Sequence, residues 1–246
     1  MAQLEVIVVV PCYNEEHRLQ GNLFSEFVSK AKGYRFLFVD DGSKDQTFRA
    51  LEDLRNQLPE KFEILKLEEN SGKAEAVRQG FLKAFQSKPR FLGYWDADLA
   101  TPIELLPRLA AQFEERPEVE MVFGSRVKIM GHDIKRNEVR HYLGRVFATA
   151  ASVVLGISVY DTQCGAKLFR NTAVLAEIFQ KPFHSRWIFD VEFLARYLKK
   201  TGKEKARNSI REFPLPAWHD IRGSKIRPAD FFKALWELLR IYLDYR

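Results

Sequence analysis

The chain has 246 residues, of which 46% are hydrophobic, and a formal net charge of +6. This length and composition can bury one substantial core, which excludes a disordered protein and favours one α/β domain with additions over two independent domains. The positive charge favours anionic partners, but the sequence has no zinc-finger spacing, aromatic RNA-binding motif or basic helix followed by heptads, so we expect no nucleic-acid partner.

The sequence shows no leader peptide with a basic start, an apolar centre and a small-residue cleavage site, because MAQLEVIVVV runs directly into a strand pattern. We therefore expect a cytoplasmic protein. Cys12 and Cys164 lie far apart and without metal-type spacing, which favours buried reduced thiols over a disulfide.

The first half alternates short apolar runs with segments of helical spacing, the pattern of a mostly parallel sheet covered by helices on both faces. The predicted strands are LEVIVVV, YRFLFVD, FEILKL, RFLGYWD and EVEMVFGS. The predicted helices between them are NEEHRLQGNLFSEFVSKA, SKDQTFRALEDLRNQL, SGKAEAVRQGFLKAFQS and TPIELLPRLAAQFEER. Thr101, Pro102 and Glu104 are typical of a helix start, with a capping residue, a first-turn proline and an acidic residue at the third position.

The second half is less regular. Residues 145–160, RVFATAASVVLGISVY, are shorter than the ~20 apolar residues of a membrane span, and we predict a buried helix. Residues 228–246 predict a broadly apolar helix with one polar stripe, made of Asp230, Lys233, Glu237, Arg240 and Asp244. The mixed charge of this stripe favours burial against the domain or a second subunit at least as much as lipid contact.

Polar clusters follow the first four predicted strands, in the segments PCYNEE, DDGSKDQT, ENSGK and DADLATP. In open α/β sheets, ligands bind beyond the carboxyl ends of the strands, so we expect these clusters to converge at one edge. Asp96 and Asp98 are one residue apart, and in extended chain both carboxylates would project to the same side and could approach one Mg²⁺ or Mn²⁺. The alternative is an acidic turn that starts the next helix.

Other charged residues are candidates for phosphate or sugar contacts. Asp40 and Asp41 could accept hydrogen bonds from a ribose or base, or form an Asp-Gly turn. The segment NSGK lacks the P-loop pattern, although Lys73 could still touch a nucleobase or phosphate. The guanidinium groups of Arg126, Arg140 and Arg186 suit phosphate, although any one of them taken alone is more typical of a surface charge. Asp190 lies one helical turn after Arg186, which indicates either an intrahelical ion pair or a carboxylate that faces an acceptor.

In their order along the chain, these motifs resemble glycosyltransferase family 2, whose members are inverting nucleotide-sugar transferases with the GT-A fold. The resemblance covers nearly the whole chain and rests on VVVPCYNEEHRL, FVDDGSKDQT, NSGKAEAVRQGF, YWDADLATP, VFGSR, DTQCGAKLFR, RWIFDVEFL and GSKI. The later motifs resemble the dolichyl-phosphate glucosyltransferase branch and its bacterial polyprenyl-phosphate relatives. The implied organisation is a GT-A domain over residues 1–227, with a nucleotide-binding half (1–126) and an acceptor-binding half (127–227), followed by an amphipathic helix (228–246).

The resemblance also implies residue roles. The donor pocket would be formed by Pro11, Tyr13, Asn14, Glu15, Asp41, Lys73, Asp96 and Ala97. The metal, Mg²⁺ or Mn²⁺, would be held by Asp96 and Asp98. Phosphate contacts would come from Arg126, Arg140 and Gln163, and the catalytic set would be Asp98, Asp161, Arg186 and Asp190. For a hydroxyl acceptor, Asp190 is the first choice of base and Asp161 the second.

The implied reaction is transfer of a hexose, with UDP-glucose the favoured donor, to a polyprenyl or dolichyl phosphate. Ala100 stands where related mannosyltransferases can carry a metal-binding glutamine, which favours the glucosyl-type branch and leaves a third protein ligand unassigned. The membrane anchors of some relatives are missing from the sequence, so a soluble or protein-linked acceptor is the alternative, and a nucleotide-sugar-binding protein without turnover is a weaker one. Peripheral contact with the cytoplasmic membrane face and homo-oligomer formation both stay open.

Overall fold

A computed structural model describes residues 5–135, 138–221 and 228–245. The strands are β1 (Val6–Cys12), β2 (Tyr34–Asp41), β3 (Phe62–Leu67), β4 (Phe91–Trp95), β5 (Met121–Ser125), β6 (Asp133–Lys135), β7 (Ala166–Arg170), β8 (Ile210–Pro214) and β9 (Ala217–His219). The helices are α1 (Gly21–Lys30), α2 (Thr47–Gln57), α3 (Lys73–Gln86), α4 (Leu106–Glu115), α5 (Glu138–Leu155), α6 (Ala173–Gln180), α7 (Phe189–Thr201), α8 (Lys203–Ser209) and α9 (Pro228–Tyr245). A short 3-10 helix, Ile103–Leu105, precedes α4.

Seven strands form one sheet in the order β3-β2-β1-β4-β7-β5-β8. The strands β3, β2, β1 and β4 run parallel, β7 is antiparallel to both of its neighbours, and β8 is parallel to β5. The predicted α/β architecture with a mostly parallel sheet is confirmed. The sequence patterns did not predict β7, whose first residue Ala166 pairs with Trp95 at the end of β4.

Helices cover both faces of the sheet because alternate residues of the central strands point to opposite sides. Val6, Val8 and Val10 of β1 pack in one cluster with α1, α2 and α4. Ile7 and Val9 pack in the other cluster, with helices that include α3, α5, α6 and α7. Cys12 and Cys164 are both buried and form no disulfide, as predicted.

All four predicted helices of the first half begin later than predicted, and the differences for α1 and α4 have a visible structural cause. The chain after β1 forms turns, with Asn14 at a φ of +49°, and α1 begins only at Gly21. The left-handed conformation of Asn14 is incompatible with the predicted helix over this segment. Thr101 is buried and accepts a hydrogen bond from Trp95 Nε1 through its carbonyl, and Pro102 precedes the 3-10 helix without a side-chain cap. The prediction of Thr101 as a helix cap is therefore wrong.

The helices α5 and α9 lie side by side at the end of the α/β core. Phe147, Ala151 and Leu155 of α5 are buried, whereas other apolar residues of this helix are exposed, so the predicted buried helix is buried on one side only. In α9, Leu238 and Ile241 are buried in the same cluster. Within the described ranges, no helix is both long enough and apolar enough to span a bilayer.

Candidate active site

The polar segments that follow β1, β2, β4 and β5 meet at one edge of the sheet. These strands run in the same direction, so their carboxyl ends lie together. Because β7 runs in the opposite direction, the segment 161–165 before its amino end reaches the same edge. This topology brings the predicted aspartates of β2, β4 and the β7 loop into one region.

The Asp96 side chain is fixed by the backbone of Gly165 and by a lysine. Asp96 N donates to Gly165 O at 2.9 Å, and a Cβ on Gly165 would lie 1.8 Å from Asp96 Oδ2. Only glycine therefore leaves room for this carboxylate. Lys73 Nζ, at the start of α3, lies 2.5 Å from Asp96 Oδ1. Burial acts to lower the pKa of Lys73, but the carboxylates of Asp96 and Asp190 raise it overall, so the lysine stays charged beside the acidic pair.

Asp98 both supports a turn and adds a second carboxylate to the site. Its Oδ1 accepts a hydrogen bond from Ala100 N at 3.1 Å, and Leu99 between them has a φ of +51°. Its Oδ2 lies 3.8 Å from Arg18 Nη1. Burial, followed by the negative charge of Asp96, raises the pKa of Asp98. The turn and the carboxylate pair thus occur together and are not alternatives.

Asp41, at the end of β2, organises the loop that precedes α3. Its carboxylate accepts hydrogen bonds from Asn70 Nδ2 at 3.1 Å, Ser71 N at 2.8 Å and Gly72 N at 2.8 Å. Burial raises the pKa of Asp41, although the two backbone hydrogen bonds act to lower it. Asp41 therefore holds the loop 70–72 by hydrogen bonds, and this loop leads directly into Lys73.

The other donor-pocket candidates follow β1 and β4. Asn14 N donates to Ser43 Oγ at 3.0 Å, and Asn14 Oδ1 accepts from Lys44 N at 2.8 Å, so the loops after β1 and β2 are joined. Glu15 N donates to Thr47 Oγ1 at 2.7 Å. The remaining three candidates are placed as follows: Pro11 lies within β1, Tyr13 is half-buried directly after it, and Ala97 is buried between the two aspartates.

Arg186 and Asp190 do not form the predicted intrahelical pair, because Arg186 precedes α7. Arg186 Nη2 instead donates to the carbonyl oxygen and Oδ1 of Asn70, at 2.9 and 2.8 Å. Asp190 is buried, accepts a hydrogen bond from the hydroxyl of Tyr94, and lies 3.0 Å from Lys167 Nζ. Burial, and then the charge of Asp190, raises the pKa of Tyr94 well above its usual value, so this phenol remains a donor.

Arg126 and Asp161, two predicted site residues from distant segments, form a bidentate ion pair. Arg126 Nε and Nη2 donate to the Asp161 carboxylate at 2.6 and 2.8 Å. Asp161 N and Tyr160 N donate in turn to Glu212 of β8, at 2.7 and 2.8 Å. The same carboxylate of Asp161 accepts from Gln163 N at 3.1 Å, so Asp161 connects Arg126, Gln163 and Glu212.

One predicted contact residue and one motif of the resemblance fall outside the described part of the chain. Arg140 lies in the first turn of α5, but its side chain is not among the described ones, and the motif GSKI at 223–226 also lies outside. The predicted phosphate contact of Arg140 stays a prediction.

Sequence reasoning missed Lys167, Tyr94 and Glu212 as site residues. A lysine within the apolar strand AKLFR was an available signal, because a buried lysine requires a charged partner. Lys167 is 1% exposed and also donates to Tyr94 Oη at 2.7 Å. Glu212 carried no such signal, since only the pairing of β8 with β5 brings it to the site.

The acidic pair fits a divalent cation in its chemistry. Asp96 and Asp98 supply hard oxygen ligands, and their mutual repulsion, expressed in the raised pKa of Asp98, would be relieved by a cation. Among the described residues there is no group of three or more His, Cys, Asp and Glu side chains that could hold a metal. A cation here would complete its coordination with phosphate oxygens and water.

Comparison with known proteins relates this geometry to one enzyme family. The family model described as glycosyl transferase family 2 matches residues 7–176. The dolichyl-phosphate beta-glucosyltransferase of Saccharomyces cerevisiae is 33% identical over 97% of this chain and 74% of its own length. The enzyme of the same name from Drosophila melanogaster is 35% identical over 92% of this chain and 70% of its own length.

Solved structures show the same fold. Glucosyl-3-phosphoglycerate synthase from Mycobacterium tuberculosis, in complex with Mn²⁺, UDP and phosphoglyceric acid, superposes with a TM-score of 0.69 at 18% identity, covering 98% of this chain and 78% of that one. Its complex with Mg²⁺ and UDP superposes with a TM-score of 0.68 at 18% identity, covering 98% and 79%. The family match, the relatives and the fold agree, and the chain is a glycosyltransferase that belongs to glycosyltransferase family 2 and has the GT-A fold.

Proposed function

We propose that the protein transfers glucose from UDP-glucose to a polyprenyl phosphate of the dolichyl phosphate type, with inversion at the anomeric carbon. The observation that carries the proposal is the arrangement of the site in two halves: Asp96, Asp98 and Lys73 on one side, and the Arg126–Asp161 pair on the other. The activity named for the relatives of this chain supports the choice of sugar and acceptor.

The donor half would bind the nucleotide-sugar through the loops after β1, β2 and β3. Pro11, Tyr13, Asn14 and Glu15 would line the base and ribose pocket together with the loop that Asp41 organises. Asp96 and Asp98 would hold Mg²⁺ or Mn²⁺. When bound, the ion would offset the negative charge that grows on the departing diphosphate.

The acceptor half suits a phosphate monoester. In the transfer, a phosphate oxygen forms a bond to the anomeric carbon while the bond from that carbon to the diphosphate breaks, and its electron pair leaves with UDP. A phosphate monoester is mostly ionised at pH 7, since its second pKa is about 6, so this nucleophile needs no strong base. Arg126 binds Asp161 through Nε and Nη2, and among the described residues this leaves Nη1 as the nitrogen we assign to the acceptor phosphate.

A hydroxyl acceptor would instead need a base, and Asp190 was the first choice. Its Oδ1 already accepts from the Tyr94 hydroxyl and lies 3.0 Å from Lys167 Nζ. This network holds Asp190 within the protein core, which favours the phosphate acceptor over the hydroxyl acceptor.

The proposed acceptor is a lipid, and one face of the protein suits contact with a membrane surface. On α5, Val139, Tyr142, Val146 and Val153 are 56% to 75% exposed. Among the described side chains of the adjacent α9, the exposed large apolar residues are Trp236, Leu239 and Leu243. We name this set the α5–α9 face and propose that it makes peripheral contact with lipid.

A donor screen tests the proposed reaction. UDP-glucose, UDP-galactose, UDP-N-acetylglucosamine and GDP-mannose are each offered with a short polyprenyl phosphate, with and without Mn²⁺. We expect transfer from UDP-glucose that requires the metal. Transfer without a metal would overturn the role of the acidic pair, and the absence of transfer from every donor to the polyprenyl phosphate would overturn the acceptor.

Asp98→Asn tests the acidic pair directly. The amide oxygen of asparagine can still accept from Ala100 N, so the turn is kept while the charge is lost. We expect kcat/KM to fall at least about 100-fold, the scale of losing one electrostatic stabiliser of a transition state. Asp53→Asn, on the exposed side of α2, is the matched control. Unchanged transfer by Asp98→Asn would remove this residue from the mechanism.

A further inference from the structure

The segment that connects α6 to α7, residues 181–188, forms one wall of the donor half. It carries Arg186, whose Nη2 donates to the carbonyl oxygen and side chain of Asn70 at 2.9 and 2.8 Å. Ala74 N also donates to Arg186 O at 3.3 Å. Gly72 has a φ of +96°, and a Cβ there would lie 2.7 Å from Arg186 Nε. Arg186 therefore packs directly on the loop 70–72 that Asp41 organises from the other side.

The C-terminal helix α9 holds this segment beside Arg186. Ser185 is buried, and its hydroxyl donates to Glu237 Oε2 of α9 at 2.6 Å. The same Ser185 Oγ accepts from Trp187 N at 3.1 Å and from Ile188 N at 2.7 Å. A hydroxyl has a single proton, so donation to Glu237 directs the lone pairs of Oγ to these two amides. Glu237 thereby fixes the backbone that follows Arg186.

A second contact from α9 holds the backbone that precedes Arg186. Glu192 of α7 is fully buried, and its Oε2 accepts from His184 N at 2.8 Å and Ser185 N at 3.3 Å. Its Oε1 accepts from the hydroxyl of Tyr245, near the end of α9, at 3.0 Å. Both sides of Arg186 are thus connected to the same helix.

We infer that Glu237 is a positioning residue for donor binding. Through Ser185 it holds Arg186 against Asn70, and so it keeps the loop 70–72 and Lys73 in the place where the nucleotide binds. One residue of the predicted polar stripe of α9, Glu237, therefore contacts the segment beside the donor half of the site. The inference rests on the proposed function for the identity of the nucleotide and for its place beside the loop 70–72 and Lys73.

Glu237→Ala tests the inference through UDP affinity, measured by calorimetry on the full chain with Mn²⁺. Hydrogen bonds to charged groups are among the stronger ones, and we expect UDP binding to weaken about 5- to 10-fold when this one is lost. The KM for the donor should rise by a similar factor, with kcat and the KM for the acceptor nearly unchanged. Glu237→Gln retains an oxygen that can accept from Ser185, and it should restore most of the UDP affinity.

The matched control is Asp244→Ala, which also removes one carboxylate from α9 but whose side chain only approaches Arg240 at 3.8 Å. Its UDP affinity should equal that of the unmodified protein. A folded Glu237→Ala variant with unchanged UDP affinity would overturn the inference. So would a lowered melting temperature with equal rises in the KM values for donor and acceptor, because that pattern indicates a general loss of stability.

Ser185→Ala provides a second change if Glu237→Ala does not fold. It removes the hydroxyl that joins Glu237 to the amides of Trp187 and Ile188, and we expect UDP binding to weaken in the same direction by about 5- to 10-fold. Unchanged affinity in this folded variant would overturn the inference. If the unmodified protein does not bind UDP, the donor in the proposed function is wrong, and the same comparison is made with the nucleoside diphosphate of whichever donor the screen identifies.

Discussion

Glu212 shows how one half-buried carboxylate supports the proposed acceptor half through the backbone of Asp161. Its two oxygens accept from Tyr160 N and Asp161 N, and Asp161 in turn binds Arg126. Burial raises the pKa of Glu212, because the loss of hydration disfavours the charged form more than the two backbone hydrogen bonds favour it. The free energy that is needed to keep Glu212 charged in the folded protein depends on pH, so its effect on stability can be measured.

Glu212→Gln should change the pH dependence of stability. A raised native pKa means that the native state binds more protons than the unfolded state at pH values above the ordinary Glu value of 4.5, so the free energy of unfolding falls as pH rises through that window. Glutamine does not titrate. The stability of the unmodified protein relative to the variant should therefore be highest below pH 4.5 and decrease above it, by at most about 1.4 kcal/mol per pH unit. Urea unfolding at several pH values measures this, and a difference independent of pH would contradict it.

At the scale of elements, the position of β7 brings the loop before it into contact with the end of β4. It inserts antiparallel between β4 and β5, and its preceding loop brings Gly165 against the carboxylate of Asp96. The site therefore depends on a close approach of two backbones, and the packing leaves no space for a side chain at this glycine.

Gly165→Ala should damage the site more than the fold. The new Cβ would meet the carboxylate of Asp96 at 1.8 Å, and the carboxylate can move away while the strand pairing is kept. We expect kcat/KM to fall at least about 100-fold, because the proposed metal ligand Asp96 is displaced, and the far-ultraviolet circular dichroism to remain unchanged. Gly21→Ala is the matched control, since its Cβ would only reach Leu54 Cδ1 at 3.6 Å. Full activity in Gly165→Ala would show that the position of Asp96 is not critical.

The sequence predicted those parts of the fold that follow from local periodicity. Alternating apolar runs predicted β1 to β5, and the rule for the carboxyl ends of parallel strands brought Asp41 and Asp96 to one edge. The antiparallel insertion of β7 and the pairing of β8 with β5 join strands that are distant in the sequence. Local periodicity does not predict such pairings, so Lys167 and Glu212 were missed as site residues. The helix start at Thr101 was wrong for the same reason, because the packing of Trp95 determines the conformation there.

At the scale of the whole molecule, most of the exposed large apolar residues of the described ranges belong to α5 and α9. The large hydrophobic residues that are exposed in the described ranges belong to the segment 129–130, to α5, to α9 and to Trp187. The helices α1, α2 and α4, which cover the opposite face of the sheet, contribute none of them. The α5–α9 face therefore differs from the rest of the surface, and α9 combines an outward apolar side with Glu237, which reaches toward the donor loop.

Lipid contact by this face predicts a directional result in liposome co-sedimentation. A Val146→Asp and Leu243→Asp double variant places a charge on each of the two helices at positions that are 56% and 69% exposed, so folding should be preserved. Transfer of a valine or leucine side chain out of an apolar environment costs about 1.5–3 kcal/mol when complete, and we expect at least a tenfold weaker partition into vesicles of polyprenyl phosphate and anionic phospholipid. Ala111→Asp, exposed on α4 at the opposite face of the sheet, should pellet like the unmodified protein. Equal, negligible pelleting of all three proteins would show that the α5–α9 face does not bind lipid, and equal strong pelleting would place the contact elsewhere on the protein.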